Sequence, residues 1–186
     1  LAADGLTLLV GTAQGLRRWT ADGGITSVAE VGEEPVYALY QAQDGQWWVG
    51  SERGLWRLVA SEGGATLQPF VLHPTTGQGM TVYAIHQDPL GIFYFGVALG
   101  IFQYQPGPDA WYWYAGDSHS EQTPEWQPFD PTASGEAQNR PTAALAFLPA
   151  VLAIQRGPDG ALWLGTEQGL ARYVAHPVRG LSYTTQ

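Results

Sequence analysis

Short apolar runs punctuated by glycine make up most of this chain. Val-Tyr-Ala-Leu starts at Val36, Val-Tyr-Ala-Ile at Val82 and Val-Leu-Ala-Ile at Val151. Nine residues after each start comes a turn glycine (Gly45, Gly91, Gly160), and five residues later another glycine (Gly50, Gly96, Gly165). Runs this short, rich in β-branched and aromatic residues and bounded by Gly, Asp and Pro, predict strands. The run from Val36 to Tyr40 has no polar member, which predicts a strand buried on both faces. Asp44-Gly45 and Asp159-Gly160 predict hairpin turns with positive φ at both central positions.

The second half of the pattern recurs four times. Gly, three residues, Gly and then Leu or Ile occurs at Gly11/Gly15/Leu16, Gly50/Gly54/Leu55, Gly96/Gly100/Ile101 and Gly165/Gly169/Leu170. Two places later stands a polar residue (Arg18, Arg57, Gln103, Arg172), then a large apolar one. Each copy predicts a tight turn followed by a further strand, with an outer strand at residues 25–31 in one copy and 66–73 in the next. The period is near 40, with 39 residues from Gly11 to Gly50 and 46 from Gly50 to Gly96. Four short antiparallel strands at such a period describe a propeller blade. The step from Gly96 to Gly165 is 69, about half a blade too long, and predicts an inserted loop between the third and fourth blades.

The fold class expected is therefore all-β, a β-propeller of about four blades. Its units are blade 1 at about 1–34, blade 2 at about 35–80, blade 3 at about 81–114, an insertion at about 115–149 and blade 4 at about 150–186. The first copy begins at its second strand, and Leu1 carries neither an initiator Met nor a signal-peptide pattern. The expectation is a segment of a larger propeller, with self-association through open blade flanks as a liability.

Residues 160–173 read Gly-x-Leu-Trp-Leu-Gly-Thr-x-x-Gly-Leu-x-Arg-Tyr, which resembles the two-component regulator propeller repeat. The second copy departs at Ser51 and Leu58, and the third at Phe93, Tyr94, Val97 and Gln103. The resemblance implies the extracytoplasmic sensor portion of a hybrid histidine kinase, often glycan-recognising. A periplasmic or extracellular location rests on it alone.

Composition removes several alternatives. Eight basic residues, all Arg, stand against 17 acidic ones for a net charge of −9. That is a poor match for a nucleic-acid backbone. No apolar run approaches the ~18 residues of a membrane span. The absence of Cys removes disulfides, thiolate metal sites and cysteine nucleophiles. No cofactor is expected.

Irregular sequence gathers on one face of such a propeller, where binding is expected. The candidate ligand residues are Glu33, Glu34 and Arg53 in the connecting segments, and Trp111, Trp113, His119 and Trp126 in or beside the insertion. Aromatic faces beside polar side chains suit a glycan or a peptide. Trp111 to Tyr114 also reads as the outer strand of blade three, with Trp111 and Trp113 on one face. No residues hold metal-ligand spacing and no catalytic residue is assigned. The expected function is a non-enzymatic ligand-binding or sensory module. The alternatives are a protein-interaction scaffold in a large extracellular or phage-tail-like assembly, and a propeller lyase or hydrolase using His86 or His119 with a carboxylate. A loosely similar repeat also occurs in streptogramin lyases.

Overall fold

The computed structural model describes residues 7–61, 64–70, 80–115, 125–129, 149–174 and 182–184. These form four antiparallel sheets in chain order. The first contains β1 (Thr7–Thr12), β2 (Gly15–Thr20) and β3 (Ile25–Ser27), and the second β4 (Val36–Gln41), β5 (Trp47–Ser51), β6 (Gly54–Ser61) and β7 (Gly64–Phe70). In the third lie β8 (Val82–Gln87), β9 (Phe93–Val97), β10 (Gly100–Gln105), β11 (Ala110–Ala115) and β12 (Glu125–Phe129). The fourth comprises β13 (Val151–Arg156), β14 (Leu162–Thr166), β15 (Gly169–Val174) and β16 (Ser182–Thr184). Each sheet is a meander of neighbouring strands, the arrangement of a propeller blade.

Three details differ from the sequence expectation. The outer strand of the first blade stops at Ser27, and Ala29–Val31 is a 3₁₀ turn that buries Val31. The third blade has five strands, because Glu125–Phe129 pairs with β11 in the register Tyr114↔Trp126. The Asp-Gly turns are not the primed two-residue type. Among the described residues only Asp109 has positive φ without being glycine, so Asp44 and Asp159 do not. Gly45 N–H donates to the Ala42 carbonyl at 2.9 Å, and Gly45 sits at φ +83°. This is a type I turn closed by a left-handed glycine. Asp44 Oδ1 accepts the Gln46 N–H at 2.9 Å and Asp159 Oδ1 that of Ala161 at 3.1 Å. The carboxylate thus locks the turn through a local side-chain bond.

The two glycines of the Gly-x₃-Gly motif have different causes. The second sits at φ +99° in Gly15, +133° in Gly54, +115° in Gly100 and +127° in Gly169. Residues with a Cβ rarely adopt that region. Its predecessor makes room for the next blade. A Cβ on Gly11 would lie 2.8 Å from Val36 Cγ1, on Gly50 3.0 Å from Val82 Cγ1, and on Gly96 2.9 Å from Val151 Cγ1. Each valine heads the innermost strand of the following blade. The Ser or Thr after this glycine secures the turn, as where Thr12 Oγ1 donates to the Gly15 carbonyl at 2.8 Å and Thr166 Oγ1 to that of Gly169 at 2.9 Å.

Between blades lie three apolar clusters. Leu9, Leu16, Val36 and Val49 fill the first junction; Trp48, Phe95, Phe102 and Trp111 the second; Tyr94, Ile101, Val151 and Leu164 the third. Two of the recurring arginines pack on rings of their own blades. Arg57 lies over Trp48 at 5.9 Å and over Phe70 at 5.4 Å. Arg172 lies over Trp163 at 5.8 Å and pairs with Asp159 at 2.6 Å. A guanidinium over a ring face is attracted by the ring quadrupole.

Among the described residues the first and fourth blades pack against one neighbouring blade each. Leu170 is 65% exposed, whereas Leu16, Leu55 and Ile101 at the same repeat position are 1%, 2% and 4% exposed. Val10 is 38% exposed where Val49, Phe95 and Leu164 are at most 1%. Gly165, the fourth seat, meets only Ala153 of its own blade, at 3.3 Å. Gly96→Ala is therefore expected to lower stability by about 1–3 kcal/mol through overpacking, and Gly165→Ala by clearly less. Chemical denaturation of the two variants tests this.

Candidate functional site

The innermost strands β4, β8 and β13 each pair on one side only. All three carry a bulge at the same place. Val36 pairs with Ser51 and Ala38 with Gly50, so Tyr37 is an extra residue without a partner; Tyr83 and Leu152 stand at the equivalent positions. The bulge also changes which face each residue takes. Val36 and Leu39 both pack into the first junction, Val82 and Ile85 into the second, and Val151 and Ile154 into the third. In a regular strand, residues three apart would face opposite ways.

Tyr37 and Leu152 are 46% and 45% exposed, and Tyr83 is half-buried. The Tyr37 and Tyr83 rings lie 5.1 Å apart, tilted by 59°. The run from Val36 to Tyr40 is thus not buried on both faces throughout. A bulge cannot be read from a single strand's sequence, because it exists only as a register against the partner. The available signal was the recurrence of Val-Tyr-Ala at Val36 and Val82.

Around these rings stand the connecting turns. Glu52 N–H donates to the Pro35 carbonyl at 3.0 Å and Thr81 Oγ1 to the Glu52 carbonyl at 3.0 Å, tying the turn after β5 to the starts of β4 and β8. Arg53 Nε pairs with Glu34 Oε1 at 2.7 Å; the arginine side chain is 71% exposed and that of Glu34 17%. Glu34 Oε2 is buried without a hydrogen-bond partner among the described residues. Glu33 is exposed on the same connection. The Tyr37 hydroxyl is held above its ordinary pKa, chiefly by desolvation and then by the negative charge of Glu52 and by Tyr83.

The other sequence candidates lie elsewhere. Trp111 and Trp113 are 5% and 3% exposed and belong to the junction between the second and third blades. Trp111 stacks on Tyr104 at 4.5 Å and Phe95 at 5.6 Å. Neither offers a face to a ligand, which corrects the expectation for this pair. Tyr114 faces the opposite junction, as strand alternation requires. Trp126 is in β12, at the opposite edge of the third sheet from β8. His119 lies outside the described residues.

His86 is half-buried opposite Tyr94, and its Nε2 has no hydrogen-bond partner among the described residues. Its pKa is lowered, chiefly by desolvation and despite Asp88. Among the described residues no carboxylate pairs with Nε2, the contact that a general base would need at that nitrogen. Among the described residues no three His, Asp or Glu side chains gather as a metal-ligand set, and no helix is long and apolar enough to cross a membrane.

Burial sets the expected cost of changing two of these residues. Trp111→Ala should lose about 3–5 kcal/mol of stability in denaturant titration. For His86 the unfolded chain binds a proton more readily than the folded one. The stability it contributes is complete above its ordinary value of 6.5 and declines as pH falls below it. Comparing wild type with His86→Gln from about pH 7 to about pH 5 should show a shallower loss in the variant.

Comparison with known proteins places this geometry. The extracellular domain of a B. thetaiotaomicron protein, described as a putative one component system, superposes with a TM-score of 0.52 at 18% identity, over 96% of this chain and 27% of that one. An auxiliary nutrient binding protein from Bacteroides thetaiotaomicron gives 0.54 at 13% identity over 95% and 37%. The WD40 β-propeller domain of Doa1 gives 0.55 at 13% identity over 92% and 47%. The chain thus spans less than half of each, and at these identities the likeness is one of fold. No curated protein matches the sequence. Residues 30–53, which contain the first bulge, Glu34 and Arg53, match the family model described as Two component regulator propeller. The chain has a β-propeller fold, and residues 30–53 are similar to the two component regulator propeller repeat.

Proposed function

We propose that this chain is a non-enzymatic, ligand-binding or sensory propeller module, and that it takes a glycan or a peptide at the start of its innermost strands. The observation that carries this reading is the repeated bulge. It leaves Tyr37, Tyr83 and Leu152 unpaired at equivalent places in three successive blades, with the Glu34–Arg53 pair at the entry to the first of these strands. A rigid scaffold with side chains released from pairing at equivalent positions is suited to holding a ligand. Glu33, Glu34 and Arg53 form the polar rim. The similar folds of an extracellular sensor-system domain and of a nutrient binding protein support the same reading. Among the described residues no carboxylate pairs with His86 Nε2, so this histidine adds no support to a lyase or hydrolase reading.

A scaffold role is favoured by a different observation, the open flanks at Val10 and Leu170. The two readings separate by mutation. Binding to a panel of oligosaccharides and peptides is expected to weaken at least about tenfold in Tyr37→Ala/Tyr83→Ala, the scale of a binding hot spot. Unchanged affinity in this variant, with loss in Leu170→Asp instead, would assign recognition to the flank.

A further inference from the structure

The bulge site has a charge as well as a shape. On the described connections and turns at this end of the blades (residues 12–15, 32–35, 51–54, 80–81, 97–100, 149–150 and 166–169) stand Glu33, Glu34, Glu52 and Glu167, against Arg53 alone. Glu52 and Glu167 occupy the same repeat position, and their backbone N–H groups reach across to the Pro35 and Ala150 carbonyls at 3.0 and 3.3 Å. The backbone of both glutamates is therefore fixed at equivalent blade corners, with their side chains exposed. Arg53 is the single compensating charge on these segments, and it is engaged by Glu34 at 2.7 Å.

Within this field sit the two tyrosine rings, 5.1 Å apart and tilted, with Tyr37 half exposed. The face of an aromatic ring is the negative pole of its quadrupole. Glu52 is held here by its N–H bond to the carbonyl of Pro35, two residues before Tyr37, at 3.0 Å. Ring faces and carboxylates acting together favour one ligand class over a neutral sugar or an apolar side chain, namely an organic cation, which gains from both.

We infer that the Tyr37–Tyr83 notch with Glu52 is a site for a cationic group, the guanidinium or ammonium of a basic peptide side chain. This rests on the reading of this face as the binding face and names the ligand class. It makes an asymmetric demand on the rim. Arg53 opposes such a ligand, so removing its charge strengthens binding, whereas removing the charge of Glu52 weakens it.

The probe is N-acetyl-arginine amide, with a neutral isostere (the citrulline analogue) and a neutral oligosaccharide as controls. Binding is followed by NMR of protein labelled at tyrosine. The expected result is saturable perturbation of two tyrosine signals by the arginine probe, with a much smaller response to the citrulline analogue. Binding should weaken with added salt. Tyr37→Ala abolishes it, Tyr37→Phe retains it, Glu52→Gln weakens it about threefold and Arg53→Gln strengthens it by a similar factor. Equal responses to arginine and citrulline, or affinities indifferent to Glu52→Gln and Arg53→Gln, overturn the inference. If the oligosaccharide alone binds through Tyr37, the cation site is refuted while the ligand-binding reading stands. If nothing in the wider panel binds through Tyr37, both fail.

Discussion

A valine set on a glycine is the contact on which this structure depends. At each blade junction the first residue of an innermost strand lies against the bare Cα of the preceding blade, Val36 on Gly11, Val82 on Gly50 and Val151 on Gly96. Close packing leaves no room for a methyl group there, so the spacing between blades is fixed by the missing side chain. Around that contact the larger groups interdigitate, aliphatic at the first junction and aromatic at the second, where Trp48, Phe95 and Trp111 meet. The arginine or glutamine of the later repeats then packs on or bonds to an aromatic ring, as Arg57 does with Trp48 and Gln103 with the Tyr94 hydroxyl at 3.3 Å.

The same contact generates the bulge. Val36 faces the preceding blade, while Ala38, two residues on, packs into the following junction. The strand must therefore lose its alternation between them. The bulge does this by leaving one residue unpaired, and in the three innermost strands that residue is Tyr37, Tyr83 or Leu152. What assembles the propeller thus also presents two aromatic rings and a leucine at one end of it. The turns after β5 and β14 bring Glu52 and Glu167 to that end through hydrogen bonds that close the blade corners.

Much of this was legible along the chain, because the repeat registers its own geometry. Glycines at fixed spacing marked the turns, and the alternation in residues 111–114 placed Trp111 and Trp113 on one face and Tyr114 on the other. Less legible was the use of those residues. Trp111 and Trp113 look like ligand-binding aromatics by composition, yet β11 presses them into the junction with the second blade. Strand β12 was hidden for a related reason, since its pairing with β11 spans a segment that does not follow the repeat.

The sequence by itself determined the blade. Turn glycines, β-branched and aromatic runs and their period are local properties, and they specify strands, corners and the order of sheets. Only the tertiary structure decided which apolar residues are core and which are surface. That depends on whether a neighbouring blade covers them, as the contrast between Leu55 and Leu170 shows. It also decided the tyrosine pair, because a bulge is a relation between two strands and the pairing of two tyrosines 46 residues apart is a relation between two blades.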